Sequence, residues 1–230
     1  MKSRLILGDG LLGSQIHKIT NWDFISRKKN KIDFNNIHSY YDYLNNYEEI
    51  INCIANTNTY STDKDLMWKT NVVGLSDLVD TCSICKKKII HISSDYIYSN
   101  SIENASEEDV PVHCANWYGY TKLIGDAYVQ LKAGEYLLIR TTQKKKPFTH
   151  ECAFINQIGN FDYVDKIAPI IVDLIEKNAT GVFNVGTELK TMMDLAKQTK
   201  NDVKPGTYLF DPTMPTNVSM NINKLKNFLK

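Results

Sequence analysis

The N-terminal stretch constrains the fold of this chain more than any other. Arg4-Leu5-Ile6-Leu7 is a short apolar run of the kind that makes a buried strand, and Gly8-Asp9-Gly10-Leu11-Leu12-Gly13 follows at once. Residues 14–19 can continue as a helix. Strand, glycine turn and helix in that order are the setting in which Gly-x-Gly-x-x-Gly binds a dinucleotide. Gly8 allows the tight turn, Gly10 lets a pyrophosphate approach the backbone beside Leu11 and Leu12, and Gly13 permits close helix–strand packing. The helix N-terminus adds amide donors and a favourable dipole for phosphate.

Strands and helices alternate through the rest of the chain. Residues 23–26, 50–54, 89–92 and 136–140 read as further strands. Helical stretches are expected over 38–44, 66–82 and 118–132. Such alternation implies a parallel sheet covered on both faces, an α/β doubly wound Rossmann-like fold. Ligands bind such sheets beyond the carboxyl ends of the strands, where Gly8, Arg27, Asn56 and Ser94 fall. Past residue 142 the pieces are shorter: helices over 165–177 and 191–197, a glycine-bounded strand over 181–186, and a helix opening near 221. The expectation is a dinucleotide-binding domain over 1–142 that also carries the catalytic residues. Residues 143–230 then form a small, reduced substrate lobe integral to the same domain.

The second strand ends in Ser26-Arg27-Lys28-Lys29. Enzymes specific for NAD place a carboxylate here to hold the ribose hydroxyls. A hydroxyl and a guanidinium suit the 2′-phosphate of NADP instead, because arginine matches phosphate with paired donors. NADP(H) is therefore the expected cofactor, with NAD(H) possible. Asp33 comes later and suits the adenine.

The hydroxyl of Ser94 at a strand end, followed by Tyr118-Gly119-Tyr120-Thr121-Lys122, gives the chemistry. Tyr118 and Lys122, four residues apart on a helix, face the same way. The phenol can then exchange a proton with a substrate oxygen while the ammonium lowers its pKa from about 10. His91, in an apolar strand, is expected to be a hydrogen-bonded core residue. Lys144-Lys145-Lys146 reads as a solvated basic loop or as a contact for a substrate diphosphate. Trp117 suits stacking on a ligand as well as packing.

Composition removes several classes. A net charge of +1 offers no field for nucleic acid or an anionic membrane. No apolar run of about 18 residues occurs, and Met1-Lys2-Ser3 leads directly into a core strand, so a cytoplasmic protein with no membrane segment is expected. Arginine is confined to Arg4, Arg27 and Arg140. The cysteines are odd in number; Cys82-Ser83-Ile84-Cys85 has redox or zinc spacing but lacks a second pair. Cys53, Cys114 and Cys152 are isolated. All are expected to be reduced, with no metal site.

Several longer motifs resemble the extended short-chain dehydrogenase/reductases that modify nucleotide sugars, and within them the dTDP-4-dehydrorhamnose reductase family. His91-Ile92-Ser93-Ser94-Asp95-Tyr96-Ile97-Tyr98 is similar to that family's strand ending in Ser-Thr-Asp-Tyr-Val-Phe. Asn116 to Asp126 resembles its Tyr-Gly-x-(Ser/Thr)-Lys-x-x-Gly-Glu helix. Asn52-Cys53-Ile54-Ala55, Asn71-Val72-Val73-Gly74 and Pro215-Thr216-Asn217 match further motifs. The resemblance implies Tyr118 as the acid, Lys122 as ribose ligand and pKa modifier, and Ser94 as the hydroxyl that orients a keto oxygen. It places Ala55, Asn56, Asn71 and Ser93 beside the cofactor, with Asn71 supporting the lysine. The implied activity is NADPH-dependent reduction of a 4-keto nucleotide sugar. Alternatives are an epimerase of the same family and a non-catalytic NADP-binding regulatory subunit. A homodimer is possible. The segment from Arg140 to Asp162 is compressed relative to the family, which implies an open substrate site.

Overall fold

The structure is a computed structural model that describes residues 2–99, 101–110, 116–207 and 214–230. Its centre is a six-stranded parallel sheet: β1 (Arg4–Leu7), β2 (Asp23–Ile25), β3 (Glu49–Asn52), β4 (Lys88–Ile92), β5 (Tyr136–Thr141) and β6 (Gly181–Val185). The strand order is β6-β5-β4-β3-β1-β2. Successive strand residues point to opposite faces, and both faces are apolar, as expected for a parallel sheet covered on each side. Ile6, Ile51, Ile90 and Ile139 pack on one face with Ile16, Ile167 and Ile171. Leu5, Leu7, Ile50, Ile89 and Leu138 pack on the other with Leu75, Leu78 and Val79.

The helix expected over 66–82 is broken into Lys64–Trp68, a π-helical turn Lys69–Val73, and Gly74–Ile84. Asn71 lies within that turn, and its amide bonds the loop beyond β3 on one side and Thr121 on the other. A π-turn is a common way to aim such a side chain. Just after it, a Cβ on Gly74 would lie 2.8 Å from the Phe34 carbonyl oxygen, so glycine is needed for the close approach.

Two pieces expected in the C-terminal lobe belong to the central sheet. Helix Val164–Glu176 buries Ile167, Ile171, Leu174 and Ile175 on the same sheet face as helix Leu11–Thr20. It delivers β6 in parallel beside β5, the usual helical crossover between parallel strands. The lobe itself is made of short strands that no periodicity announced. Cys152–Phe154 pairs with Lys204–Gly206, and Ile158–Gly159 lies between Lys190–Thr191 and Asn217–Val218. Gln143–Lys144 pairs with Asp162–Tyr163. Phe148, Phe161, Met192, Met193 and Leu195 fill its small core. Helix Met192–Lys197 starts on a capping box between Thr191 and Asp194. The final helix runs Asn223–Leu229.

Candidate active site

The carboxyl ends of β1, β3, β4 and β5 open into one cavity of about 910 Å³. The glycine turn forms its floor. Gly8 has φ +99°, in the left-handed region that favours glycine, and its N–H donates to Ile25 O at 2.8 Å, tying the turn to the end of β2. A Cβ on Gly13 would stand 2.1 Å from Gly8 O, whereas a Cβ on Gly10 would meet nothing within 4 Å. Gly13 is thus glycine for packing and Gly10 for an open approach. Gly10, Leu11 and Leu12 line the cavity, at the N-terminus of a ten-residue helix with no side-chain cap. This cradle fits a dinucleotide pyrophosphate.

Ser94, Tyr118 and Lys122 line the same cavity, as do Ser93 and Ala55. Asn116 caps the helix Trp117–Lys132 by accepting from Gly119 N at 2.7 Å, and this brings Tyr118 in on the first turn. Its ring meets Tyr96 edge-on, with centroids 5.7 Å apart. Burial pushes the Tyr118 phenol up to about 12, opposed by a hydrogen bond with Ser94. Burial is the largest cause, Asp95 and Asp126 add to it, and the lowering expected from Lys122 is not met. Its Nζ donates to Ile92 O at 3.0 Å and lies 3.2 Å from His91 Nε2. Burial also pushes Lys122 down, to about 8.

Behind Ser94 is Asp95, with no exposed surface. Its Oδ1 accepts from Thr142 and, at 3.3 Å, from Ser94 Oγ. Ser94 Oγ in turn accepts from Tyr96 N at 3.2 Å. Burial raises the Asp95 carboxyl to about 6 in spite of the Thr142 hydrogen bond.

The other expected cofactor contacts, Ser26, Arg27, Asp33, Asn56 and Asn71, are not among the residues that line the cavity. Ser26 is buried and caps the short helix Arg27–Asn30, accepting from Lys29 N at 3.0 Å. Arg27 is exposed at the start of that helix. Asp33 is exposed and closes a local turn onto Asn35 N. Asn71 grips both backbone groups of Asn56, at 2.7 and 2.9 Å. Its amide also donates to Thr121 Oγ1 at 3.0 Å, and the expected contact with Lys122 is not among its hydrogen bonds.

The compressed segment does not leave the site without a wall: Thr142, Gln143, Lys144, Phe148 and His150 all face the cavity. The lysine run divides. Lys146 pairs with Asp165 at 2.7 Å on the surface, while Lys144 is half-buried on the cavity wall, where burial lowers its pKa against the pull of Asp95. Trp117 packs on Trp68, with centroids 6.2 Å apart, and donates from Nε1 to Lys64 O. His91 is a buried, hydrogen-bonded strand residue. Arg140 forms a buried ion pair with Asp126. Cys53, Cys82, Cys85 and Cys152 are free thiols, and Cys114 lies outside the described residues. Thr142 and the Asp95 pairing were not foreseen; the available signal was that both stand at strand ends bordering the site.

The parallel sheet and the glycine cradle at the edge of one cavity define a Rossmann-like α/β protein. The model of the family described as RmlD substrate binding domain matches residues 2–144, more than half of the chain. The chain belongs to that family. No curated protein sequence matches it significantly. Among solved structures, it is similar to dTDP-4-dehydrorhamnose reductase from Bacillus anthracis in complex with NADP. That likeness has TM-score 0.84 and 22% identity, and covers 99% of this chain and 92% of that one. The Clostridium acetobutylicum dTDP-4-dehydrorhamnose reductase ortholog gives TM-score 0.81 at 24% identity, over 96% and 90%. The Bordetella bronchiseptica enzyme WbmH in complex with NAD+ gives TM-score 0.80 at 13% identity, over 100% and 93%. Among the described residues no helix is long and apolar enough to cross a membrane.

Proposed function

We propose that the protein is an NADPH-dependent oxidoreductase that reduces a 4-keto nucleotide sugar, as dTDP-4-dehydrorhamnose reductases do. The observation that carries this reading is the convergence of Ser94, Tyr118 and Lys122 on a cavity floored by Gly10, Leu11 and Leu12. When bound, the dinucleotide supplies the hydride. Gly10 and the helix N-terminus hold its pyrophosphate, Ala55, Asn56 and Ser93 border it, and Lys122 holds its ribose. Ser26 and Arg27 favour a 2′-phosphate, with NAD(H) the weaker ligand, and Asp33 faces the adenine.

Tyr118 is the proton donor. A phenol held near 12 by burial stays protonated at neutral pH, which is the state a reduction needs. Ser94 hydrogen-bonds the keto oxygen as negative charge develops on it, a preorganised electrostatic contribution. Asp95 sits behind Ser94 with no exposed surface. It therefore acts by orienting Ser94 rather than by touching substrate. Lys144, on the cavity wall, contacts the substrate diphosphate. The catalytic residues stand at residues 94–122, and the shorter pieces after 142 contribute the substrate wall.

Incubation with a panel of 4-keto nucleotide sugars and NADPH, followed at the reduced-nicotinamide absorbance, tests the reading. Consumption of NADPH with at least one keto sugar is expected. No consumption with any of them, together with activation of a partner enzyme, points instead to a regulatory subunit.

A further inference from the structure

Lys122 is backed by a chain of polar groups whose proton direction can be read from the geometry. Just beyond β3, the Ile54 N–H donates to Asn52 Oδ1 at 3.0 Å. Only the amide oxygen can accept, so this contact fixes which way round the Asn52 amide lies. Its Nδ2 therefore faces His91 Nδ1, 3.2 Å away, and donates to it. An imidazole nitrogen that accepts carries no proton, so the proton of the neutral ring is on Nε2. That nitrogen stands 3.2 Å from Lys122 Nζ. An N–H aimed at this distance forms a hydrogen bond only with an uncharged amine, which has a lone pair; against an ammonium it meets another donor. The second Lys122 contact, to Ile92 O at 3.0 Å, is open to either form because both keep an N–H.

We propose that Asn52 and His91 are positioning residues that favour the uncharged form of Lys122, and so set the pH above which its ammonium is lost. This rests on the reading of Lys122 as the partner of Tyr118.

The surroundings agree with that assignment. Lys122 is faced by His91 from β4, by Cys53 from beyond β3, and by Asp126 from its own helix. Burial, then the nearby lysine, holds His91 well below the ordinary imidazole range, so the ring is neutral. Burial pushes the Cys53 thiol up to about 12, which leaves it uncharged near neutrality. Asp126 pulls Lys122 upward, yet burial brings the amine to about 8. The hydrogen bond from His91 works in the same direction as burial, since it stabilises the neutral amine and opposes the charged one. Removing it raises the pH at which the ammonium is lost. Reduction needs the ammonium beside a protonated Tyr118, so turnover declines as pH rises through that point.

Two measurements test the pair. Nitrogen NMR of the five histidines, with His91 assigned by comparison with His91→Gln, reads the tautomer directly in the cofactor-free wild type. The expected result is a neutral ring with Nδ1 bare and Nε2 protonated from about pH 6 to 9. A proton on Nδ1, or a ring that charges in that range, overturns the proposal, and neither outcome depends on turnover. The second measurement is the pH dependence of NADPH affinity and of kcat. In His91→Phe both alkaline limbs move up by about one pH unit, with KM for the sugar unchanged. His91→Gln, which keeps an N–H donor, stays near wild type. Limbs that do not move in a folded His91→Phe protein show a merely structural histidine and overturn the proposal. If no keto sugar is turned over, the reductase reading fails while the tautomer and the NADPH affinity profile still decide this one.

Discussion

Arg140 Nε donates to Asp126 Oδ2 at 3.0 Å, and the two side chains are 2% and 1% exposed. The pair ties the helix that carries Tyr118 and Lys122 to β5. Arg140 also donates to Tyr98 OH at 2.7 Å and to Glu107 O at 2.8 Å, so its charge is distributed over several acceptors. Removing one partner of such a pair leaves a buried, uncompensated charge. Asp126→Ala should destabilise the fold by about 3–5 kcal/mol, and the double change Asp126→Leu with Arg140→Met by much less. Denaturant unfolding of the two variants beside the wild type checks this. Equal losses for the single and double variants would contradict it.

The two inner glycines should fail in different ways. Gly13→Ala forces a methyl group to within 2.1 Å of a backbone oxygen, so the helix must move away from β1 and stability should fall. Gly10→Ala adds a Cβ that meets nothing within 4 Å, so its thermal midpoint should stay close to wild type while dinucleotide affinity drops at least tenfold. Calorimetric melting beside NADPH titration separates the two.

Cofactor choice is expected to rest on Arg27. If it holds a 2′-phosphate, NADPH binds more tightly than NADH by about 1–3 kcal/mol, and Arg27→Asp reverses the order. Fluorescence titration with both dinucleotides measures it. Equal affinities in the wild type would remove the argument.

Asp95 gives stability a pH dependence of definite sign. Its folded pKa, about 6, lies above its unfolded value, so the folded state binds the proton more strongly. The contribution is complete below about pH 4 and is lost as pH rises through 6, a change on the order of 3 kcal/mol. Asp95→Asn removes this loss. Urea unfolding of the two proteins at pH 4, 5, 6 and 7 should show curves that diverge with rising pH. Parallel curves would count against the assignment.

Much of the site could be read along the chain because its motifs are local. Gly8 to Gly13 is one turn after one strand, and Tyr118 and Lys122 are one helical turn apart; neither depends on distant contacts. What stayed hidden depends on packing. Asp95 and Thr142 are 47 positions apart in sequence, and no local pattern announces that their side chains meet. The π-turn at Asn71 arises from bonds to residues 15 and 50 positions away, which override a continuous helical pattern. β6 was placed in the lobe because a short apolar strand looks alike at a sheet edge and in a small domain. Only the crossover of helix Val164–Glu176 assigns it to the central sheet. The direction of the Tyr118 shift is hidden for a similar reason: spacing shows that Lys122 faces the same way, but not that the fold buries the phenol near Asp95 and Asp126.

Loss of the Tyr118 hydroxyl isolates the proton-donating step of the proposed reduction. Tyr118→Phe removes one oxygen and almost no volume, so the fold and NADPH affinity should persist. General acid groups contribute about 10²–10⁴-fold in rate, and turnover of the 4-keto nucleotide sugar should fall by that factor or more. Lys122→Met should weaken both NADPH affinity and turnover. The measurement is single-turnover oxidation of bound NADPH by wild type and Tyr118→Phe, with cofactor affinity determined on the same samples. Rapid oxidation is expected in the wild type and none above background in Tyr118→Phe, at unchanged affinity. Oxidation at the wild-type rate in Tyr118→Phe would contradict it.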